Sequence, residues 1–467
     1  MGSITPTTLE PTTDSLDALT YELDRAHVFH SWSAQAALHP LTVAGASGCE
    51  VWDHSGKRYL DFSSQLINTN IGHTHPKVTA AIQKQAAVLP TIAPAHANLA
   101  RGTAAKLILQ AANRLHASEN EQRGSDGVLP LVFFTNGGAD ANENAIRMAR
   151  LTTGSDTILS AYRSYHGATG SAIVATGDFR RVENQYARGH VHFFGPYPYR
   201  SEFWSTSPEE ETTRALHHLR RVIECEGGAG AIAAVLLETI PGTAGVIVPP
   251  AGWLAGVREL CDEFDILLIC DEVMAGFGRT GDWFAWQNPT INPQAVRPDL
   301  ICFAKGVNGG YVPAGGVILS RRVSKTFDER FYPGGLTYSG HPLAMAAIVA
   351  TLEAYKEESI LEHAAEIGKD ILGPGLQKLG EKHALIGEVR GMGVFWALDL
   401  VVNQSTKTPV APAVVVRLKN ECLKRGLLVF VVENRLHVTP PCIVTRDEVE
   451  RALAIYDEAL SVVGADL

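Results

Sequence analysis

The sequence has no excess of positive charge. It contains 40 Lys and Arg against 50 Asp and Glu, which gives a formal net charge of −10 at pH 7. Nucleic acids and anionic membrane surfaces are bound by basic patches that neutralise phosphates. No apolar run approaches the roughly 18 residues that a membrane-spanning helix needs. We therefore expect neither nucleic acid nor a membrane among the partners.

Cysteine is scarce and shows no pairing pattern. The seven cysteines are an odd number, and no two of them form a C-x-x-C motif. Several lie inside apolar runs, which is typical of reduced thiols in a protein core. The N-terminal segment MGSITPTTLEPTTDS has neither the basic nor the apolar region of a secretory signal. We expect a cytoplasmic protein whose residues 1–15 form a flexible tail.

The sequence also lacks the short motifs of several catalytic classes. It contains no G-x-x-x-x-G-K-[ST] P-loop, no H-E-x-x-H zinc motif and no G-x-S-x-G nucleophile elbow. His73 and His75 form an H-x-H pair, but no third ligand follows at a metal-binding spacing. We interpret this pair as structural and expect no metal site.

What the chain does have is length and a regular alternation of elements. Its 467 residues are enough for more than one domain. From about residue 77 onward, short apolar strands alternate with amphipathic helices, which predicts a mostly parallel α/β sheet covered on both faces. The Pro/Gly-rich segment FYPGGLTYSGHP interrupts this rhythm. We predict a large domain over residues 77–334 and a smaller α+β domain over residues 335–467, which residues 16–76 complete.

The first candidate site is the glycine turn in FFTNGGADANENAIRMAR. A strand ends at Thr135 and a helix begins near Asp140. Between them, Gly137 and Gly138 let the backbone approach a ligand closely, and the N-terminus of the helix favours a phosphate. A plain strand-to-helix turn would use the same residues, so this segment alone leaves both interpretations open.

Three further candidates, Tyr165, Asp271 and Lys305, lie at the ends of predicted strands, the edge where open α/β sheets bind ligands. A tyrosine there can stack on a planar cofactor. A buried aspartate needs a cation, such as a protonated pyridine nitrogen. A lysine among apolar residues is a good nucleophile for a Schiff base. Each also has an ordinary explanation: a half-buried tyrosine, an aspartate paired with Arg279, and a surface lysine.

Taken together, the four features match the needs of one cofactor. A phosphate cradle, a stacking aromatic ring, a carboxylate for a pyridinium and an imine-forming lysine are what pyridoxal 5′-phosphate requires. They occur in this chain order on successive predicted strands. The ordered set therefore predicts a pyridoxal phosphate site more specifically than any one member does.

At this point the chain resembles a family, the class III (ω-) aminotransferases of the pyridoxal phosphate-dependent fold type I. The resemblance extends from about residue 28 to the C-terminus. It is carried by the segments TNGGADANENAIRMAR, SYHG, DEVMAGFGRTG, AKG with GYVPAGG, and GLTYSGHP. The resemblance implies transfer of an amino group from an amine or ω-amino acid to a 2-oxo acid, with pyruvate expected, by a ping-pong mechanism.

The resemblance assigns roles to residues that match the family motifs. Lys305 would form the Schiff base and move the proton, and Asp271 would keep the ring nitrogen protonated. Thr337 would reach the phosphate in the neighbouring subunit, which implies an obligate homodimer with shared sites. The other residues expected to contact the cofactor are Gly138, Ala139, Tyr165, His166, Glu238 and Val273.

Substrate recognition is less specified by the motifs. The resemblance places Ile67 and Phe430 in the substrate pocket, and Met274 favours amines or ω-amino acids over substrates of the ornithine type. A 2-oxo acid acceptor calls for an arginine that binds its carboxylate. Arg435 is one candidate, although it could instead be a surface charge on a hairpin. Arg163 is a weaker candidate.

Two other functions remain open. An aminomutase or a decarboxylating transaminase could use the same scaffold. A nicotinamide oxidoreductase could use GFGRTG, which is a literal G-x-G-x-x-G, but it requires a helix directly after Gly281. The residues that follow, DWFAWQNP, do not favour a helix.

Overall fold

The computed structural model describes residues 13–114 and 128–465. Most of the predicted tail, residues 1–12, lies outside these ranges. Residues 13–15, which we also assigned to the tail, instead begin the first helix, Thr13–His27. Helix ends are hard to place from sequence because the first four N–H groups have no intrahelical partner.

Sixteen strands occur in the described ranges. In chain order they are β1 (Gly45–Ser47), β2 (Glu50–Trp52), β3 (Arg58–Asp61), β4 (Leu131–Thr135), β5 (Thr157–Ala161), β6 (His190–Phe193), β7 (Ile232–Glu238), β8 (Leu267–Asp271), β9 (Leu300–Phe303), β10 (Gly315–Leu319), β11 (Ile386–Met392), β12 (Phe395–Asn403), β13 (Thr408–Pro409), β14 (Leu427–Leu428), β15 (Phe430–Val432) and β16 (Arg435–Val438).

Fourteen α-helices accompany them in the same ranges. They are α1 (Thr13–His27), α2 (Ser64–Ile67), α3 (Pro76–Val88), α4 (Leu99–Ala112), α5 (Gly138–Thr153), α6 (Gly170–Ala175), α7 (Pro208–Cys225), α8 (Trp253–Glu263), α9 (Arg321–Lys325), α10 (Pro342–Glu357), α11 (Ile360–Ile367), α12 (Gly373–Lys382), α13 (Pro412–Lys424) and α14 (Arg446–Gly464).

The largest sheet has seven strands in the order β4-β10-β9-β8-β7-β5-β6. Strands β6, β5, β7, β8 and β9 are parallel to one another, and β10 runs antiparallel to its two neighbours, β9 and β4. All residues of β7, β8, β9 and β10 are buried. Burial of whole strands is expected when helices cover both faces of a parallel sheet. The predicted α/β fold with a mostly parallel central sheet is confirmed.

The register of three central strands aligns their ends. Glu238, the last residue of β7, pairs with Asp271, the last residue of β8. Asp271 in turn pairs with Cys302 of β9, three residues before Lys305. Parallel strands in this register bring Glu238, Asp271 and Lys305 to one edge of the sheet, where ligands of open α/β sheets bind.

Two smaller sheets lie outside the seven-stranded one. One contains β11-β12-β16-β15, with β13 beside β12, and the other contains β1-β2-β3-β14. In the second sheet β14 runs parallel to β3, with Leu427 opposite Leu60 and Leu428 opposite Asp61. Segments from the two ends of the chain therefore share a sheet. The domain boundaries at residues 76 and 334 stay a prediction.

The GFGRTG loop is packed into the interior rather than opened towards a ligand. Arg279 is fully buried. Its Nε and Nη2 donate to Asn70 Oδ1 at 3.0 and 2.7 Å, and its Nη1 donates to the Pro440 carbonyl. Asn70 Nδ2 donates to the Phe277 carbonyl at 2.7 Å. Only a short 3₁₀ turn at Ala285–Gln287 follows the loop, so the helix required for a dinucleotide site is missing there.

The His73 and His75 side chains bind acidic partners. His73 Nε2 lies 2.9 Å from Asp61 Oδ2, and His75 Nε2 lies 3.0 Å from Glu358 Oε1. Within residues 13–114 and 128–465, no cluster of three or more His, Cys, Asp or Glu side chains could hold a metal. No helix in the same ranges is long and apolar enough to cross a membrane.

The buried contact between Arg279 and Asn70 yields a stability prediction. We expect Asn70→Ala to lower the free energy of unfolding by about 3 kcal/mol, because the guanidinium then loses two hydrogen bonds without access to water. Equilibrium unfolding in urea measures the change. Asn403→Ala is the control, since Asn403 is exposed and accepts only a turn hydrogen bond from Thr406 N. Equal stability of the two variants would contradict the prediction.

Candidate active site

Lys305, the predicted Schiff-base lysine, lies two residues after the end of β9. Its backbone is in the left-handed region, with φ at 44°, a conformation that strains a residue with a side chain and that clusters at functional sites. Burial lowers the pKa of its amine below 10.5, and the charges of Asp271 and Glu238 oppose that shift. No hydrogen bond or ion pair joins its Nζ to another residue within the described ranges. The amine is thus poised to react.

Asp271 is a buried carboxylate with a full set of donors. Its side chain is 3% exposed. Asn142 Nδ2 and His166 Nδ1 lie 2.7 and 2.8 Å from Oδ2, and Val273 N donates to Oδ1 at 3.0 Å. These donors offset part of the cost of burying a charge. The Arg279 pairing that we left open for Asp271 is wrong, because the donors of Arg279 contact Asn70 and Pro440 instead.

The Glu238 carboxylate accepts hydrogen bonds from two backbone N–H groups. Its Oε1 accepts a hydrogen bond from Tyr165 N and its Oε2 accepts one from Gly242 N, each at 2.8 Å. Burial raises the pKa of this carboxyl to about 7. Glu238 therefore fixes the start of the Tyr165 segment against the end of β7.

Two glycines allow the predicted phosphate cradle to close. A Cβ on Gly138, the first residue of α5, would lie 2.8 Å from Val273 Cγ1. A Cβ on Gly167 would lie 2.6 Å from Ala139 Cβ, and Gly167 also has φ at +133°. The N-terminus of a 16-residue helix is thereby brought against both the Tyr165 segment and the Val273 segment. Such a terminus binds anions through its free N–H groups.

The predicted substrate residues fall into different surroundings. Ile67, Met274 and Phe430 belong to one apolar cluster. Ile67 is 1% exposed and has φ at 58°, which is strained for a β-branched residue. Arg435 pairs with Glu433. Its role as the carboxylate-binding residue stays a prediction.

Thr337 forms no hydrogen bond with the other candidates in the part of the chain that the structure describes. It is exposed, on the segment where Ser339 Oγ donates to the Phe134 carbonyl at 2.8 Å. The segment therefore lies beside the end of β4 with the Thr337 side chain free of the sheet. Its predicted contact with the site of a second subunit stays a prediction.

Sequence reasoning missed two residues of the site. Asn142 donates to both Asp271 Oδ2 and the His166 carbonyl, at 2.7 and 2.8 Å. Arg180 lies over the Tyr165 ring, with Cζ 3.9 Å from the ring centroid. A buried asparagine inside the predicted helix was an available signal for the first. The sequence holds no such signal for the second.

The residues present fit pyridoxal phosphate. An amine of lowered pKa, a buried carboxylate and a cradle that a Cβ at Gly138 would fill converge on one sheet edge. Two buried polar atoms beside the carboxylate, His166 Nε2 and Asn142 Oδ1, have no hydrogen-bond partner in the described part of the chain. This donor set suits a phosphorylated pyridine aldehyde.

Proteins with known activities resemble the whole chain. It is 32% identical over 435 residues to the putrescine–pyruvate aminotransferase of Pseudomonas aeruginosa, covering 91% of each sequence. It is 30% identical over 471 residues to the taurine–pyruvate aminotransferase of Rhodobacter capsulatus, covering 94% of this chain and 95% of that one.

Solved structures of the same kind superpose closely. The taurine:2-oxoglutarate aminotransferase from Bifidobacterium kashiwanohense, in complex with pyridoxal phosphate and glutamate, matches with a TM-score of 0.89 and 40% identity over 100% of both chains. A pyridoxal phosphate-bound amine transaminase from an uncultivated Pseudomonas species matches with a TM-score of 0.85 and 32% identity, over 94% of this chain and 99% of that one.

The family description "Aminotransferase class-III" matches residues 32–460. This match, together with the site around Lys305, excludes the nicotinamide alternative. The protein belongs to the class III aminotransferases and is a pyridoxal phosphate-dependent transaminase.

Proposed function

We propose that this transaminase takes the amino group of a primary amine or ω-amino acid and passes it to a 2-oxo acid, with pyruvate as the acceptor. The observation that carries the proposal is the buried, unpaired amine of Lys305 beside Asp271, on strands whose register aligns them. The named activities of the relatives support it, since their donors are putrescine and taurine and their acceptors are pyruvate or 2-oxoglutarate.

We assign the cofactor contacts as follows. The N–H groups of Gly138 and Ala139 bind the phosphate, Tyr165 and Val273 face the two sides of the ring, and Lys305 binds the aldehyde carbon. When bound, pyridoxal phosphate supplies an electron sink for negative charge on the substrate carbon.

Two side chains then control protons. Asp271, held by Asn142 and His166, would keep the ring nitrogen protonated, because its carboxylate is buried and bonds to no lysine or arginine among the described residues. Lys305 Nζ would take a proton from the substrate carbon as a general base and deliver it, as a general acid, to the cofactor carbon that Lys305 itself had bound. The lowered pKa of Lys305 increases the neutral fraction of the amine that can do this.

We also propose that the enzyme works as a homodimer in which Thr337 completes the site of the second subunit. Two large apolar side chains near Thr337 are exposed in the single chain, Phe331 by 83% and Tyr338 by 60%. Exposed apolar residues of this size mark surfaces that another protein covers. Burial of this segment against a second copy would remove them from water.

A cytoplasmic location completes the proposal. All seven cysteines are free thiols, and six of them are buried. Unpaired cysteines are typical of reducing compartments.

The half-reactions give the first test of this function. With an amine donor and no acceptor, the visible absorption of the bound cofactor should disappear, and pyruvate should restore it. Initial rates should give the parallel lines of a ping-pong mechanism. Lys305→Ala is the control and should show neither change. Turnover without an acceptor would indicate an aminomutase, and release of CO₂ a decarboxylating transaminase.

The surroundings of Lys305 predict a pH dependence. Capture of added pyridoxal phosphate by the cofactor-free protein, trapped with borohydride, should rise with pH with a midpoint below 10.5, because burial lowers the Lys305 pKa. Asp271→Asn should move the midpoint to still lower pH, since the negative charge of Asp271 raises that pKa. Asp265→Asn, at an exposed carboxylate paired with Arg322, is the control. An unchanged midpoint in Asp271→Asn would refute the coupling.

A further inference from the structure

The guanidinium of Arg180 lies over the Tyr165 ring of the proposed cofactor site. Arg180 places its Cζ 3.9 Å from the centroid of the Tyr165 ring, and its side chain is 22% exposed. An arginine over a tyrosine face gains a cation–π attraction and is held flat against the ring. Its fork is therefore oriented at the edge of the site rather than free in solvent.

The backbone around Arg180 is fixed to the segment that carries Tyr165. Gly177 N donates to the Ser164 carbonyl at 2.9 Å, and His166 N donates to Thr176 Oγ1 at 3.0 Å. A Cβ on Gly177 would lie 2.1 Å from the Ala161 carbonyl oxygen, so only glycine allows this contact. Thr176 and Gly177 are thus fixed to the Tyr165 segment, three residues before Arg180.

Asp178 pairs with Arg180 but does not occupy all of the Arg180 donors. The Asp178 side chain caps the 3₁₀ helix Phe179–Asn184 by accepting from Arg180 N at 2.9 Å. It also accepts from Arg180 Nε at 3.1 and 3.0 Å and from Nη2. The Nη1 group has no hydrogen-bond partner among the described residues. A second anion can therefore bind to the same guanidinium.

The other arginines considered near the site are paired, as Arg180 is. Arg279 is fully buried and bonded to Asn70 and Pro440. Arg163 pairs with Glu202. Arg435 pairs with Glu433, and its buried Nε has no hydrogen-bond partner in the described part of the chain.

Arg180 and Arg279 are also near enough to influence Lys305. Burial is the largest cause of the lowered Lys305 pKa, and the charges of Arg279 and Arg180 lower it further. Since Arg279 has no exposed surface, Arg180 is the one of these two cations that a substrate can reach.

The family resemblance assigns Ile67 and Phe430 to the substrate pocket, and their side chains offer no donor to an acid group. Ile67, Met274 and Phe430 form an apolar cluster. An acid group placed there would lose its hydration without gaining donors, which is costly. An acidic substrate is therefore better oriented with its anion towards the Tyr165 side.

We propose that Arg180 binds the acid group, a carboxylate or a sulfonate, of the substrates and so selects substrates that carry one. This assignment rests on the proposed transaminase site around Lys305 and names its element of specificity. The planar guanidinium fork matches the paired oxygens of both acid groups. Tyr165 supplies the surface that keeps the fork in place.

The test compares Arg180→Met and Arg180→Lys with the adjacent control Arg181→Met in the holoenzyme. Arg181 is the neighbouring residue and lies over the Tyr162 ring, 5.5 Å from its centroid. Donor half-reactions are followed in single turnovers with 3-aminopropanoate, 2-aminoethanesulfonate and propylamine, which has no acid group. The acceptor half-reaction is followed with pyruvate. Calorimetric titration with propanoate and ethanesulfonate, which have no amine, measures binding without turnover.

We expect Arg180→Met to slow the acidic donors, pyruvate or both by at least roughly 30-fold, as for loss of a charge-assisted pair. Propylamine should change by less than about threefold, within the range of minor surface effects. If the rates with the acidic donors fall, Arg180 contacts the acid group of the donor. If the rate with pyruvate falls, Arg180 contacts the carboxylate of the acceptor. Arg180→Lys should retain part of the preference, and Arg181→Met should behave as wild type.

Equal losses with propylamine and the acidic substrates would overturn the assignment, because they indicate a purely structural role. So would propanoate and ethanesulfonate binding that is the same in wild type and Arg180→Met. The proposed function fails separately: if wild type reacts with no amine yet binds propanoate or ethanesulfonate through Arg180, the transaminase substrates are wrong and the anion site stands.

Discussion

A buried negative charge organises this active site. The Asp271 carboxylate is almost without exposure, and an isolated ionised carboxylate in such surroundings would be strongly unfavourable. Donors from three places, Asn142 on α5, His166 after β5 and the backbone of Val273, remove most of that cost. Because all three must converge on one side chain, the helix N-terminus, the Tyr165 segment and the end of β8 are held in a single arrangement.

The same arrangement creates the close contacts that a flat, phosphorylated ligand requires. Gly138 and Gly167 bring the helix start within reach of Val273 and the Tyr165 segment, at distances that a side chain would prevent. Glu238 ties that segment to the end of β7 through two backbone N–H groups. The site is therefore preorganised by hydrogen bonds to backbone, and the reactive amine of Lys305 is left without a partner of its own among the described residues. Preorganised dipoles of this kind do not have to reorganise during the reaction.

The proposals divide recognition of substrate between two surfaces of different chemistry. The apolar cluster around Ile67 and Phe430 would bind carbon chains by burial, which discriminates weakly between substrates that differ by a methylene group. The charged fork of Arg180 would discriminate more strongly, because an analogue without the acid group leaves its donors unpaired. The relatives, which act on a diamine in one case and on an aminosulfonate in another, illustrate how far substrates vary around a shared chemistry.

The sequence alone determined the alternation of strands and helices, the parallel sheet and the order of the four cofactor features, because each depends on local periodicity and on residues at strand ends. It could not determine the contacts between distant segments. Arg180 had no local pattern, and the partners of Arg279 lie 209 and 161 residues away. Only the tertiary structure decided that the GFGRTG loop is closed by Arg279 rather than open to a dinucleotide. It also placed a cation on Tyr165, since packing and strand register, not spacing along the chain, set which side chains meet.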